Sequence, residues 1–332
     1  MNVLMTAASR RVPLLRAFQS ALRAHGRGKV VVTDIDASSP AVHLADRAYR
    51  VPISSDPGYV DALIEICAAE KIGLVVPTID DELEIVANAR DRFEAAGAVL
   101  ACSPAETPAL CNDKYRTCEH LAARGVEAAV SWLPGEIPAG APETLFIKPR
   151  IGRGGVGAHL IRNRRELDFF LEYVDNPVVQ EFLEGPEFTI DMFCDWNGRP
   201  LSIVPRERVL VRAGVIDRGR TVKDPALLEL GKRVASVIRF AGPVNVQCRM
   251  RGKVPVVFEI NPRFSGGIPL TIAAGADFPA MLVQLALGNR LSASIGRFKA
   301  DLWMTSYEAG VFLPGQELRL AKLDRSAFTG AA

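Results

Sequence analysis

No two cysteines in this chain are spaced CxxC, and its four histidines are scattered, so neither structural zinc nor a disulfide framework is expected. Cys67, Cys102, Cys111, Cys118, Cys194 and Cys248 read instead as small buried residues of a protein in a reducing cytoplasm. Net charge is also nearly missing. The 40 basic residues stand against 38 acidic ones, so no global field draws the protein to nucleic acid or anionic lipid. No apolar run reaches the ~20 residues of a membrane span, and the apolar region 268–288 is interrupted by Gly275, Asp277 and Pro279. Met1-Asn2-Val3-Leu4 enters an apolar strand without a charged leader, which again suggests the cytoplasm. Two phosphate-binding signatures are absent as well. The first strand-to-helix turn, Thr6-Ala7-Ala8-Ser9-Arg10-Arg11, has no GxGxxG, and no glycine loop ends in the Lys-Ser/Thr of a Walker sequence.

What is present fits a globular protein of two or three domains: 332 residues, 48% hydrophobic and 23% charged. The first hundred residues alternate apolar strands, at 3–7, 29–33, 73–77 and 98–102, with segments of helical period. Leu14, Leu15, Phe18 and Leu22 form one such stripe, and Tyr59, Leu63 and Cys67 another. This alternation predicts a parallel α/β unit. Asp34, Asp36, Asp80, Asp81 and Glu82 fall at the carboxyl edge of its sheet, where such sheets bind ligands, and Asp80 and Asp81 are expected to cap a helix.

From residue 103 the pattern changes. Asn112-Asp113-Lys114 opens a helix, and a strand at 144–148 leads into Arg150-Ile151-Gly152-Arg153-Gly154-Gly155-Val156-Gly157 before a second strand at 158–161. Strand, glycine loop, strand describes a hairpin flap whose backbone N–H groups can approach phosphate oxygens. Lys148 upstream and Arg150 and Arg153 within the loop supply the charge. After a buried strand, Glu184-Gly185-Pro186 forms a linker that offers backbone groups to a flat base, with an acid nearby for ribose.

Asn245-Val246-Gln247 and Val256-Val257-Phe258-Glu259-Ile260-Asn261-Pro262-Arg263 flank a turn at Arg251-Gly252. Paired antiparallel, Gln247 lies opposite Glu259 and Asn245 opposite Asn261, which gathers four oxygen-bearing side chains on one surface. Val246, Phe258 and Ile260 are then expected in the core. Hard oxygen ligands of this kind suit Mg2+, completed by water and substrate phosphate. Arg263 places a cation just beyond. The run at 205–214, if extended, puts Arg206, Arg208 and Arg212 on one face, each a candidate to bind a substrate carboxylate through its planar fork.

Taken in order, Lys114, Lys148, the glycine flap, Glu181-Phe182-Leu183, Glu187, Asn245-Val246-Gln247 and Glu259-Ile260-Asn261-Pro262-Arg263 resemble the ATP-grasp superfamily. The resemblance is closest to its carbamoyl-phosphate-synthase large-subunit-like branch and runs to about Gly288. It implies a Rossmann-like pre-ATP-grasp α/β domain over 1–105 and an ATP-grasp fold of two α+β subdomains over 106–290. The flap subdomain would span about 114–180 and the metal-site subdomain about 181–290, with a C-terminal extension over 291–332.

The resemblance further implies that Lys114 and Lys148 hold ATP phosphates beneath Gly152, Gly154, Gly155 and Gly157. Glu181 and Leu183 would meet adenine through their backbones with Phe182 between them, and Glu187 would bind ribose. Gln247, Glu259 and Asn261 would ligate one or two Mg2+ (or Mn2+) ions. Arg263 and Lys148 would act on the transferring phosphoryl group, with Ser265 and Gly266 adding N–H donors toward the substrate. A single ATP-grasp unit, with no second copy, points to a stand-alone ligase that joins a small carboxylate to an amine and releases ADP and phosphate. The alternatives are release of a free acyl or carbamoyl phosphate, or a nucleotide-binding protein without turnover. Neither nucleic acid nor membrane is an expected partner, and a homo-oligomer is compatible with the sequence.

Overall fold

The structure, a computed structural model, describes residues 1–26, 28–212 and 214–315, which fall into two compact units. Unit 1 comprises 1–105, 277–291 and the described residues from 307; unit 2 comprises 106–276 and 292–306.

Unit 1 begins β1 (Asn2–Met5), α1 (Val12–Ala24), β2 (Val30–Asp34), α2 (Pro40–Leu44), β3 (Arg47–Arg50) and α3 (Tyr59–Ala69). It continues β4 (Ile72–Val76), α4 (Asp80–Asn88), α5 (Arg90–Ala95) and β5 (Val99–Leu100). The five strands form a parallel sheet in the order β3-β2-β1-β4-β5. Parallel sheets are covered on both faces, and every residue of β2 is buried. Leu14, Leu15, Phe18 and Leu22 form the buried stripe of α1, as their spacing predicts. Leu4, Val31, Leu63, Ile66, Val75, Val86 and Phe93 share one core.

Two details of unit 1 differ from expectation. β3, Arg47-Ala48-Tyr49-Arg50, has no apolar alternation to announce it, because it is an edge strand whose arginines are exposed. The capping role expected of Asp80 and Asp81 belongs to Glu82, whose carboxylate accepts from the N–H groups of Thr78 at 2.8 Å and Ile79 at 3.2 Å. Asp34, at the carboxyl edge, accepts from the Ser9 N–H at 2.7 Å and so braces the first turn.

Unit 2 runs α6 (Glu106–Asn112), α7 (Lys114–Ala122), β6 (Ser131–Trp132), β7 (Leu145–Pro149), β8 (His159–Ile161), α8 (Arg164–Tyr173) and β9 (Pro177–Glu181). There follow β10 (Glu187–Cys194), β11 (Pro200–Arg212), β12 (Val215–Thr221), α9 (Pro225–Val237), β13 (Gly242–Arg251), β14 (Val254–Asn261) and α10 (Ile268–Ala273). α11 (Phe278–Ala286) belongs to unit 1, where it packs on α1, and β15 (Trp303–Thr305) returns to unit 2 as the edge strand beside β12. Packing past Ala276 therefore follows a different division from 106–290 and 291–332.

One sheet of unit 2 is antiparallel and four-stranded, β6-β9-β7-β8, and packs Leu145, Ile147, Ile161 and Val179 with Leu167 of α8. The other is antiparallel and six-stranded, β14-β13-β10-β11-β12-β15. Ile190, Met192, Ile203, Val246 and Ile260 of that sheet join Leu121 of α7 and Leu227, Leu230 and Val234 of α9 in its core.

β13 and β14 pair as their sequence predicts, Asn245 with Asn261 and Gln247 with Glu259. Their register then shifts, because Cys248 pairs with Val257 and leaves Phe258 as an extra residue. Such a bulge re-aims the side chain it carries. Val246 and Ile260 are buried in the core, but Phe258 is only half-buried and lines a cleft, which corrects its expected core position.

Candidate active site

A cleft of about 510 Å³ lies within unit 2 between the β7–β8 flap, the segment after β9, and strands β11, β13 and β14. This volume is within the range of small-molecule sites. Lys114, Lys148, Gly152, Gly154, Gly155, Glu181, Phe182, Leu183, Glu187, Arg208, Gln247 and Glu259 line it, so residues scattered over 146 positions of sequence are brought together. Gly157, Arg206, Arg212, Asn261, Arg263, Ser265 and Gly266 are not among the lining residues.

Backbone geometry makes the flap. Gly152, Gly154, Gly155 and Gly157 have φ of 144°, 70°, 72° and 69°, values that a side chain strongly disfavours. The β11–β12 turn meets this flap, for a Cβ placed on Gly214 would lie 2.9 Å from the Cα of Gly154. Lys114, at the start of α7, donates from Nζ to the Gly152 carbonyl at 2.6 Å. Arg150 does not reach the cleft. Its guanidinium closes on Asp113, the N-cap of α7, with Nη2 2.7 Å from Oδ2, and so ties the flap base to that helix. Burial alone would raise the Asp113 pKa, but Arg150 and the Arg116 N–H outweigh it and hold the carboxyl below its usual range.

Five cationic side chains, Lys114, Lys148, Arg153, Arg208 and Arg249, line the cleft against the carboxylates of Glu181, Glu187 and Glu259. The excess of positive charge suits an anionic ligand. Lys148 is almost wholly buried, 6% exposed, with Nζ 3.3 Å from the Phe258 carbonyl and 5.1 Å from the centre of that ring. Burial pushes its pKa below the ordinary lysine value, and Glu259 pulls the other way. The bulge at Phe258 thus supplies both a ring face and a carbonyl to the lysine.

Behind Glu259 runs a chain of amide contacts. Asn261 donates from Nδ2 to Oε1 of Glu259 at 3.0 Å, and Arg263 donates from Nη2 to Oδ1 of Asn261 at 3.3 Å. Arg263 also donates to the Phe264 carbonyl at 3.1 Å. Among the described residues no group of three or more His, Cys, Asp or Glu is placed to hold a metal, so a cation here would rest on one carboxylate and neighbouring amides.

The three arginines of β11 do not share one environment. Register shifts on either side of Leu210 break the alternation between Arg208 and Arg212, while Arg206 and Arg208, in unbroken register, keep a common face and differ in burial and partners. Arg206 is 1% exposed and forks onto Asp191, Nε to Oδ2 at 2.7 Å and Nη2 to Oδ1 at 3.0 Å. Arg208 lines the cleft beside Glu187, its Nε 2.6 Å from Oε1 in an ion pair whose N–H is not aligned as a hydrogen bond. Arg212 is exposed and lies 3.6 Å from Asp217. Ser265 accepts from Arg206 Nη2 at 3.0 Å, and Gly266 packs against Val215, which a Cβ would meet at 2.9 Å.

Glu181 donates its backbone N–H to the Val130 carbonyl at 3.0 Å, so only its carbonyl is available for a base. Several lining residues carry no expectation from sequence of a place in the site. Arg249 stands two residues past Gln247, and strand alternation alone would have placed it on the same face. Phe258 and Gly214 gave no such signal, since one depends on a bulge and the other on a turn meeting the flap.

Residues 174–309 match the family described as ATP-grasp in the biosynthetic pathway with Ter operon, and residues 3–101 match the PylC-like N-terminal domain. The carbamoyl phosphate synthase large chain of Thermus thermophilus is 26% identical over 272 residues, 74% of this chain and 26% of that one. The chain spans about a quarter of the length of the curated relatives it matches. Among solved structures, the biotin carboxylase domain of Hydrogenobacter thermophilus 2-oxoglutarate carboxylase, in complex with MgADP, ADP and bicarbonate, gives a TM-score of 0.71 at 18% identity. That match covers 91% of this chain and 73% of the other. L-amino acid ligase from Bacillus licheniformis gives 0.69 at 19% identity, over 90% of this chain and 77% of that one.

Proposed function

The chain belongs to the ATP-grasp superfamily, as a single unit similar to those of carbamoyl phosphate synthase large chains, and from that premise we propose an ATP- and Mg2+-dependent ligase. It activates a small carboxylate as an acyl phosphate, which an amine attacks with release of phosphate. The observation that carries this reading is the pairing of Gln247 with Glu259 in a cleft that also holds Lys148 and the glycine flap.

Phosphoryl transfer depends on positioning and charge neutralisation more than on covalent help. Lys114 and Lys148 bind the phosphates, and the N–H groups around Gly154 and Gly155 cover them. Gln247 and Glu259, opposite each other on the cleft wall, fit a hard cation that takes its remaining ligands from water and phosphate. Asn261 completes the set after its amide turns over, because Nδ2 rather than Oδ1 faces Glu259. When bound, the ion neutralises the transferring phosphate and fixes its oxygens.

Arg263, released from Asn261 by the same turn, meets the oxyanion that forms when the amine attacks the acyl carbon. Ser265 and Gly266 add backbone N–H donors there. Of the β11 arginines Arg208 lines the cleft, and a substrate carboxylate that reaches it exchanges with its present partners, Glu187 and the Gly214 carbonyl; Arg206 is committed to Asp191.

The test is ADP release with magnesium across a panel of amino acids and other carboxylates, each with and without amines. Release that requires both an acid and an amine supports the ligase. Release with acid alone identifies a free acyl phosphate as the product, and no release with any acid overturns turnover altogether.

A further inference from the structure

The segment between β9 and β10, residues 182–186, is fastened to β13 by one side chain. Arg249 donates from Nη1 to the carbonyls of Leu183, at 3.1 Å, and Gly185, at 3.3 Å. Its Nη2 donates to Oε2 of Glu187 at 2.9 Å. The backbone repeats the attachment, since the Met250 N–H donates to the Pro186 carbonyl at 3.1 Å. Approach is so close that a Cβ on Gly185 would lie 2.0 Å from the Met250 carbonyl oxygen. Arg249, Leu183 and Glu187 all line the cleft.

This inference rests on the reading of the cleft as an ATP site. There, Glu181 offers the base a carbonyl, its N–H being bonded to Val130. Leu183 has the complementary restriction: its carbonyl is taken by Arg249. What remains toward a base is one acceptor followed, two residues on, by one donor, the Leu183 N–H. Adenine matches this pattern with its exocyclic amino donor and its N1 acceptor. Guanine presents the reverse, a carbonyl acceptor and an N1–H donor, and meets like groups at both positions, which leaves polar atoms unpaired.

We propose that Arg249 is a positioning residue that sets the preference for adenine over guanine nucleotides. It withdraws the Leu183 carbonyl from the base and, through Glu187, fixes the acid that faces the ribose. Glu187 is thereby clamped from two sides, by Arg249 and by Arg208. The guanidinium fork is needed because three oxygens on two residues of the linker and one of β10 are reached from a single side chain.

Calorimetric titration of ATP and of GTP, each with magnesium, into the unaltered protein and into Arg249→Ala tests this directly. The expected result is an ATP-to-GTP affinity ratio narrowed about ten-fold, because the freed Leu183 carbonyl can accept from guanine N1–H, while any loss through Glu187 and the ribose is common to both nucleotides. Where the alanine variant does not fold, Arg249→Lys serves, because an ammonium reaches fewer of the three oxygens; the same narrowing of the ATP-to-GTP ratio is expected. An unchanged ATP-to-GTP ratio, an equal loss for both nucleotides included, overturns the inference. Failure of the unaltered protein to bind ATP overturns the reading beneath it instead.

Discussion

Arg206 and Asp191 form a two-point ion pair sealed inside unit 2, each side chain 1% exposed. The pair is a junction. Asp191 also accepts from the Thr271 hydroxyl of α10 at 2.5 Å, and Arg206 donates onward to Ser265. Gly267 presses against it, for a Cβ there would stand 2.3 Å from Arg206 Nη1. β10, β11 and the segment that follows Arg263 are thus joined through one guanidinium.

Arg206→Ala leaves a carboxylate buried without its partner, a change that costs about 3–5 kcal/mol. The expected outcome is a large drop in the denaturant midpoint, of which much is recovered when Asp191→Leu is combined with Arg206→Met. A midpoint unchanged by Arg206→Ala would show that the pair does not exist in solution.

Glu259→Gln removes the single carboxylate of the Gln247, Glu259 and Asn261 set while keeping its shape. Loss of ADP formation by at least about a hundred-fold is expected, with the melting temperature retained, since a charged ligand to a hard cation becomes a neutral one. Steady-state ADP release and a thermal melt on the same preparation check both halves.

Lys148 gives a dependence on pH. Its folded pKa lies below the ordinary lysine value because of burial, with Glu259 opposing. Between the folded and unfolded values the unfolded chain carries the extra proton, so this group makes the fold more stable as pH rises through that window. Nucleotide affinity runs the other way, because only the ammonium attracts phosphate. ATP affinity is therefore expected to decline with rising pH before ordinary lysines titrate, and Lys148→Arg is expected to abolish the decline. Calorimetry across the alkaline range reads both.

All six cysteines are buried, and burial pushes the thiols of Cys67, Cys102 and Cys194 up to about 12. A thiol that does not ionise is a poor nucleophile. Titration with a coloured disulfide reagent is expected to find no fast-reacting thiol in the native protein and six after unfolding.

Much of this site was legible because strand alternation is a local rule. Gln247 opposite Glu259 follows from a turn at Gly252 and a period of two, and the flap follows from four glycines between strands. The failures share a cause, a change of register that no residue announces. The bulge at Phe258 turns an expected core residue toward Lys148, and shifts around Leu210 separate Arg212 from Arg206 and Arg208. Arg150 misled for another reason. A basic residue in a glycine loop reads as a phosphate ligand, but Asp113, 37 positions earlier, claims it. β3 escaped notice because an exposed edge strand carries little apolar pattern.

The central claim is that Gln247, Glu259 and Asn261 bind the cation that accompanies ATP. Anomalous diffraction from crystals grown with Mn2+ and a non-hydrolysable ATP analogue tests it most directly. A manganese peak bonded to Glu259, with Gln247 or Asn261 and phosphate oxygens as its other ligands, is the result expected. A peak elsewhere, with Glu259 still engaged by the Asn261 amide nitrogen, would contradict the account.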